Sequence, residues 1–344
     1  MTKPTVFVSG ANGFIAQHII QQLLDSKFYK IVGSVRDATK KDKLLRDFQC
    51  NPDLSILVIK DITKPDAFDS VFEEQGSSFE YIIHTASPVN LAKTDFQRET
   101  ITPAINGTRN IFEATVKYAP KIKKFVYTSS VAAMLDVVSV TSTKITINEK
   151  SWNNMSLAIG LYNGSNAYVY SKTASEKTLW ELHKNMNAQF AIVVINPTYV
   201  FGPQVFDSCV RPKLNLSNQV INTIVHSTLN NSSGVKITNG SAVDVRDVAR
   251  AHIEALTNDY LNGQRLLLDN QAFSTQSIAD IINTNFPQLK GKIVKIVNLG
   301  ETGPDYSSFF DSRLTKILLG FQFIELSTSV IDTVSQILRV EGRD

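Results

Sequence analysis

The sequence predicts an α/β fold: a doubly wound parallel sheet carrying a smaller, mostly C-terminal substrate-binding lobe. Three observations predict it. Short β-branched runs recur through the first half, at Thr5–Val8, Ile31–Val35, Ser55–Val58, Tyr81–His84, Phe125–Thr128 and Ala191–Ile195. Amphipathic stretches lie between them, at Ile15–Leu24, Lys43–Phe48, Ala67–Glu74 and Thr108–Tyr118. The first run ends in a glycine-rich turn that opens directly into a helix pattern.

Each element follows from its own residues. Apolar runs without in/out alternation mark strands buried on both faces. Helices between such strands imply right-handed crossovers and a parallel sheet. Apolar spacing predicts a long helix over 167–184. After about Pro203 the texture changes. Asn215–His226 and Ser274–Phe286 read as helices, and Asn230–Gly240 reads as a loop rich in Asn, Ser and Gly. Val243–Leu256 is apolar enough to return to the first lobe. The expected domains are therefore 1–204 plus about 241–258, and about 205–240 plus 259–344.

The chain has 344 residues, enough for two lobes, with 43% apolar and 19% charged residues. A net charge of +3 gives no reason to invoke nucleic acid or an anionic membrane. Two cysteines, Cys50 and Cys209, make neither a disulfide framework nor a metal site, so no metal is expected. The N-terminus lacks a signal-peptide pattern and no apolar run is long enough to span a bilayer. The expected setting is the cytosol, for a monomer or homodimer.

The glycine turn is Gly10-Ala11-Asn12-Gly13-Phe14-Ile15-Ala16. A pyrophosphate on a helix N-terminus needs free N–H groups and an approach clear of side chains. Gly10 and Gly13 provide that approach, with Asn12, Phe14 and Ile15 lining it. The placement is that of a Rossmann nucleotide-binding domain, although a tight turn without a ligand has the same spacing. The second strand ends at Arg36, where such a domain meets the adenosine ribose. Arg36 can bind a 2′-phosphate as a fork, and Lys40 can add a second charge. These favour NADPH/NADP+ over NADH. Asp37 either caps the next helix or weakens that phosphate site. Asp61 and Ile62 after the third strand are candidates for the adenine, with a helix cap as the other reading of Asp61. Thr85, Ala86 and Ser87 end the fourth strand and would pass beside the cofactor, as would Thr128 at the end of the fifth. His84 reads as a packed structural histidine.

The chemical residues follow. Tyr168 and Lys172 stand four apart, so they share one helix face. Carbonyl reduction needs a hydride and a proton for the developing alkoxide. A tyrosine of pKa about 10 is a poor proton shuttle at neutral pH, and moving it to about 7 takes about 4 kcal/mol. A nearby ammonium supplies such stabilisation, and Lys172 can also bind the nicotinamide ribose. Ser130, just past the fifth strand, would hold and polarise the substrate oxygen. Tyr170 has no lysine at the same offset.

With these motifs the chain resembles the extended short-chain dehydrogenases/reductases, in the dihydroflavonol/cinnamoyl-CoA reductase branch. It is similar there to the yeast NADPH-dependent methylglyoxal (isovaleraldehyde) reductases. Further matching segments are Pro103–Thr108, Asn196–Pro203, Val243–Ala249 and the final Gln336–Arg343. The resemblance implies Ser130, Tyr168 and Lys172 as catalytic residues, and selects Ser130 over Ser129. It implies Pro197, Thr198 and Val200 beside the nicotinamide, and a small-molecule carbonyl as substrate. It makes the charged cluster Asp244, Arg246 and Asp247 structural and leaves Asn106 either catalytic or structural. Residues 136–163 depart from the relatives and would border the substrate entrance. Val89, Val131 and Leu135, with Tyr199, would line the pocket. Aliphatic residues there imply room for bulky ketones. Two other readings share part of the pattern: a sugar-nucleotide epimerase or dehydratase that retains NAD, and a non-catalytic NADP-sensing module. Arg36 argues against the first, and the Ser–Tyr–Lys set against the second.

Overall fold

The computed structural model describes residues 3–88, 94–135, 146–229, 234–294 and 309–343. In chain order the elements begin with β1 (Thr5–Ser9), α1 (Phe14–Ser26), β2 (Lys30–Val35), α2 (Ala38–Asp47), β3 (Leu54–Val58) and α3 (Asp69–Gln75). There follow β4 (Phe79–His84), α4 (Thr102–Tyr118), β5 (Lys124–Thr128), α5 (Leu157–Gly160), α6 (Gly164–Asn185), β6 (Ala191–Pro197) and β7 (Tyr199–Phe201). The last are α7 (Asn218–Val225), β8 (Asn239–Asp244), α8 (Val245–Thr257), β9 (Arg265–Leu268), β10 (Gln271–Ser274), α9 (Thr275–Asn285), α10 (Arg313–Leu319) and α11 (Leu326–Val340). The chain divides into two compact units, Met1–Asn196 with Ala249–Leu267, and Pro197–Val248 with Leu268–Asp344.

The first unit is built on a seven-stranded sheet in the order β3-β2-β1-β4-β5-β6-β9. Its pairs from β3 through β6 are all parallel. This is the Rossmann-type doubly wound arrangement. The strand order reverses between β1 and β4, and ligands of such sheets bind outside the carboxyl ends of the strands at that reversal. Six strands match the β-branched runs. The seventh, β9, has only four residues, too short a run to stand out by periodicity. Helix α4 begins six residues before the expected stretch, with Pro103 in its first turn, where a missing N–H costs nothing.

Aromatic packing holds this sheet to its helices. Phe7 of β1 meets Phe72 of α3 at 5.0 Å between ring centroids and Phe79 of β4 at 5.3 Å. Phe112 of α4 meets Phe125 of β5 at 5.6 Å. All five rings are fully buried.

The second unit has a three-stranded sheet, β10-β8-β7, with β7 parallel and β10 antiparallel to β8. Its core gathers Phe201, Ile221, Ile224, Phe273, Ile278, Ile282, Val330 and Val334. The Asp244–Asp247 cluster is occupied inside this unit. Asp244 accepts from Arg246 Nη2 at 2.7 Å and from Ser329 Oγ at 2.6 Å. Arg246 Nη1 reaches Asp332 at 2.7 Å, and Asp247 accepts from the Ile324 N–H at 2.6 Å. Among the described residues, no helix is long and apolar enough to cross a membrane.

Phe7 is 0% exposed and touches three other rings, Phe68, Phe72 and Phe79. Phe7→Ala is expected to destabilise the protein by about 3–5 kcal/mol, because the rigid strand cannot collapse into the space left. Urea unfolding monitored by circular dichroism measures it; a loss below about 1 kcal/mol refutes this account of the core.

Candidate active site

Two strand ends form the nucleotide-facing edge. Ser9 closes β1, and its hydroxyl meets His84 Nδ1 at 2.7 Å. The same oxygen accepts from the N–H groups of Thr85 and Ala86, both at 3.1 Å. Thr85 Oγ1 donates back to the Ser9 carbonyl at 2.6 Å. One serine therefore stitches β1 to β4 at the reversal of strand order. The sequence reading missed it, since a serine before a glycine turn carries no signal by itself.

Gly10 is required immediately beyond. Its φ is +67°, and a Cβ there would press to 3.0 Å from the Ala86 backbone. Gly13 begins α1 with no side-chain cap, and the first turn holds no acid. A Cβ on Gly13 would meet the Gly10 carbonyl at 3.1 Å. The result is a helix N-terminus with unblocked N–H groups and no competing negative charge. The residues present therefore fit a dinucleotide pyrophosphate.

At the end of β2, Arg36 is exposed. Asp37 caps α2, accepting from the Lys40 N–H at 2.9 Å, and holds the Lys40 ammonium at 2.5 Å. Those hydrogen bonds keep the Asp37 carboxyl below its usual range. Asp61 makes a turn rather than a helix cap: it accepts from Thr63 N at 3.0 Å and Thr63 Oγ1 at 2.7 Å, and α3 starts only at Asp69. Ile62 presents its carbonyl to Asn110 Nδ2 at 2.9 Å. Asn106 lies half-buried on α4.

The candidate chemical residues sit just past β5 and on α6. Asn163 caps α6 by accepting from the Asn166 N–H at 2.8 Å, and the helix then runs without interruption. Tyr168 and Lys172 occupy successive turns, and Lys172 Nζ lies 6.0 Å from the Tyr168 ring centre. Tyr168 is half-buried. Lys172 is 7% exposed, and burial pushes its ammonium down to about 8, against an opposing pull from Glu176. Thr128 ends β5 and meets His252 Nε2 at 2.7 Å. Beyond it the two serines separate. Ser129 Oγ donates to Glu176 at 2.5 Å. Ser130 Oγ accepts from the Ala132 N–H at 3.1 Å, an arrangement that keeps its own proton for donation.

His84 is not a base in this arrangement. It is buried, stacks on Tyr127 at 5.7 Å, and is pushed down to about 3 by burial and by the Lys172 charge. Val131 and Leu135 are half-buried just past Ser130. Ser87 is half-buried beyond β4, and Val89 lies outside the described residues. Pro197, Thr198, Tyr199 and Val200 belong to the second unit. There Thr198 is held by the Leu268 carbonyl at 3.0 Å and 3.1 Å, and Tyr199 packs on Phe273 at 5.1 Å.

Comparison with known proteins identifies the family. The NAD-dependent epimerase/dehydratase family profile matches residues 6–266. The NADPH-dependent methylglyoxal reductase of Saccharomyces cerevisiae is 41% identical, over 98% of this chain and 99% of its own. A ketoreductase of Aspergillus niger is 31% identical, over 97% of each chain. The crystal structure of the yeast methylglyoxal/isovaleraldehyde reductase complexed with NADPH superposes with a TM-score of 0.92, at 40% identity, covering 99% of this chain and 100% of that one. The chain thus belongs to the NAD-dependent epimerase/dehydratase family, the extended short-chain dehydrogenases/reductases.

Proposed function

We propose that this protein reduces aldehydes and ketones to alcohols with NADPH, using Ser130, Tyr168 and Lys172. The observation that carries the reading is the buried Lys172 ammonium one helical turn from a half-buried tyrosine on the same face. The full-length likeness to an NADPH-dependent methylglyoxal reductase supports the cofactor and the reaction class.

The cofactor would be held by Gly10, Asn12, Gly13, Phe14 and Ile15 at the α1 N-terminus. Arg36 and Lys40 would hold its 2′-phosphate. Asp61, Ile62, Thr85, Ala86, Ser87, Thr128, Pro197, Thr198 and Val200 would complete its contacts. When bound, NADPH supplies a hydride to the carbonyl carbon. Tyr168 gives its phenolic proton to the carbonyl oxygen. Lys172 stabilises the phenolate left behind, which brings the proton transfer within reach at neutral pH. Ser130 donates a hydrogen bond to the same oxygen and stabilises its growing negative charge. Ser129 is committed to Glu176, which supports Ser130 as the donor. The aliphatic Val131 and Leu135 support an apolar carbonyl substrate, with Val89 and Tyr199 as the other proposed pocket residues.

Loss of NADPH absorbance, measured with a panel of aldehydes, dicarbonyls and ketones, tests the reading. Carbonyl-dependent oxidation faster with NADPH than with NADH is expected; no oxidation of either refutes it. Tyr168→Phe should lower the rate by about 10²- to 10⁴-fold at unchanged folding, since it removes the proton donor alone. Arg36→Glu should cut the NADPH-over-NADH preference by about 10- to 100-fold, the worth of one charged hydrogen-bonding group. An unchanged preference would remove Arg36 from the phosphate site.

The pH dependence follows from Lys172. Its folded pKa is depressed to about 8, so the charged form is present below that pH and lost above it. The profile of kcat/KM reports the free enzyme. It should therefore fall as pH rises through about 8, and a profile flat to pH about 10 would sever Lys172 from the chemistry.

A further inference from the structure

Glu176 lies one turn beyond Lys172 and takes no part in the chemistry above. It is 0% exposed, a position that carboxylates almost never occupy unpaired. Its two oxygens are divided between two tasks. Oε1 accepts from Arg265 Nε at 2.5 Å, an ion pair buried on both sides. Oε2 accepts from Ser129 Oγ at 2.5 Å and from Asn196 Nδ2 at 2.8 Å. The Asn196 amide also donates to the Ser130 carbonyl at 3.1 Å. Arg265 is anchored in turn: Nη1 donates to the carbonyls of Glu149 and Ser151, and the guanidinium lies 3.8 Å from the Trp152 ring centre.

Resting on the reductase reading, we propose that Glu176 is a positioning residue. Clamped by Arg265, it locks the Ser129–Ser130 strand end and β6 onto the helix bearing Tyr168 and Lys172, and it is the counter-charge of Lys172. One carboxylate thereby sets the distance between the oxygen-holding serine and the proton donor. The charged, titratable or aromatic groups that interact with Lys172 are Tyr168 and Glu176 on its own helix and His84 on β4. His84 is neutral, so Glu176 is the one group among them whose charge favours the ammonium.

A purely structural ion pair predicts no change in kcat or in the Lys172 titration once the protein folds. Replacing a buried pair by apolar side chains of similar volume is often neutral or stabilising. The test therefore uses two variants, Glu176→Gln and the double variant Glu176→Met with Arg265→Met. Three quantities are read from each: melting temperature, kcat of carbonyl-dependent NADPH oxidation, and the Lys172 titration in cofactor-free protein. The last is followed by NMR of ε-¹³C lysine, with the Lys172 signal assigned by its loss in Lys172→Met. In both variants Lys172 should titrate at lower pH than in the parent, and kcat should fall about tenfold or more. The double variant should melt close to the parent. A folded double variant with an unmoved Lys172 titration and parental kcat overturns the proposal. A parent that oxidises no NADPH overturns the reductase reading instead, and the titration still decides whether Glu176 is the counter-charge.

Discussion

The proposed chemistry depends on keeping a lysine charged where burial opposes the charge. Lys172 is buried on α6, and desolvation alone would drive it towards the neutral amine. A neutral amine would stabilise no phenolate. The fold meets this constraint with the carboxylate of Glu176 four residues on, and then faces a second problem, since that carboxylate is itself fully buried. Arg265 answers it from β9, and Ser129, Asn196 and two carbonyls make further hydrogen bonds to the pair. The short seventh strand thus matters beyond closing the sheet edge, because it delivers the arginine.

The same economy operates at the other end of the site. Ser9 uses one oxygen to hold His84, Thr85 and Ala86, which places the chain after β4 directly over Gly10. Any side chain at position 10 would push that chain away, and the +67° backbone angle would be strained as well. The glycine is required by the close approach of the β1 and β4 ends as much as by a ligand. The two demands coincide because a sheet that reverses its strand order there must bring two strand ends close together.

Much of this was legible in the sequence, and the exceptions have physical causes. Six strands announced themselves because burial on both faces demands continuous apolar runs. That Tyr168 and Lys172 share one helix face was legible from their spacing, and the structure places them on successive turns of α6. Asp37 was legible only as a pair of alternatives; its geometry shows that it caps α2 and holds Lys40 at the same time. Asp61 was read partly as a helix cap, yet Thr63 offered a tighter local partner and the chain turned instead. Arg265 was illegible. Its partner lies 89 positions away, and nothing local distinguishes a buried arginine from a solvated one. Glu176 left a faint signal, a charge in register with Lys172 on a face otherwise turned inwards.

The groups around Lys172 also divide by how they titrate. Burial drives His84 down to about 3 and drives Tyr127 far above its ordinary range, so neither changes charge near neutrality. Lys172 alone of these three is brought close to neutral pH. Such separation has a use. Had His84 titrated near neutrality, its proton would compete electrostatically with the Lys172 ammonium, and the charge beside Tyr168 would depend on two coupled equilibria. Stacking His84 on Tyr127, and binding its ring nitrogen to Ser9, fixes it as a neutral group beside the end of β1. His84, read from the sequence as a packed structural histidine, is buried and held neutral in the structure.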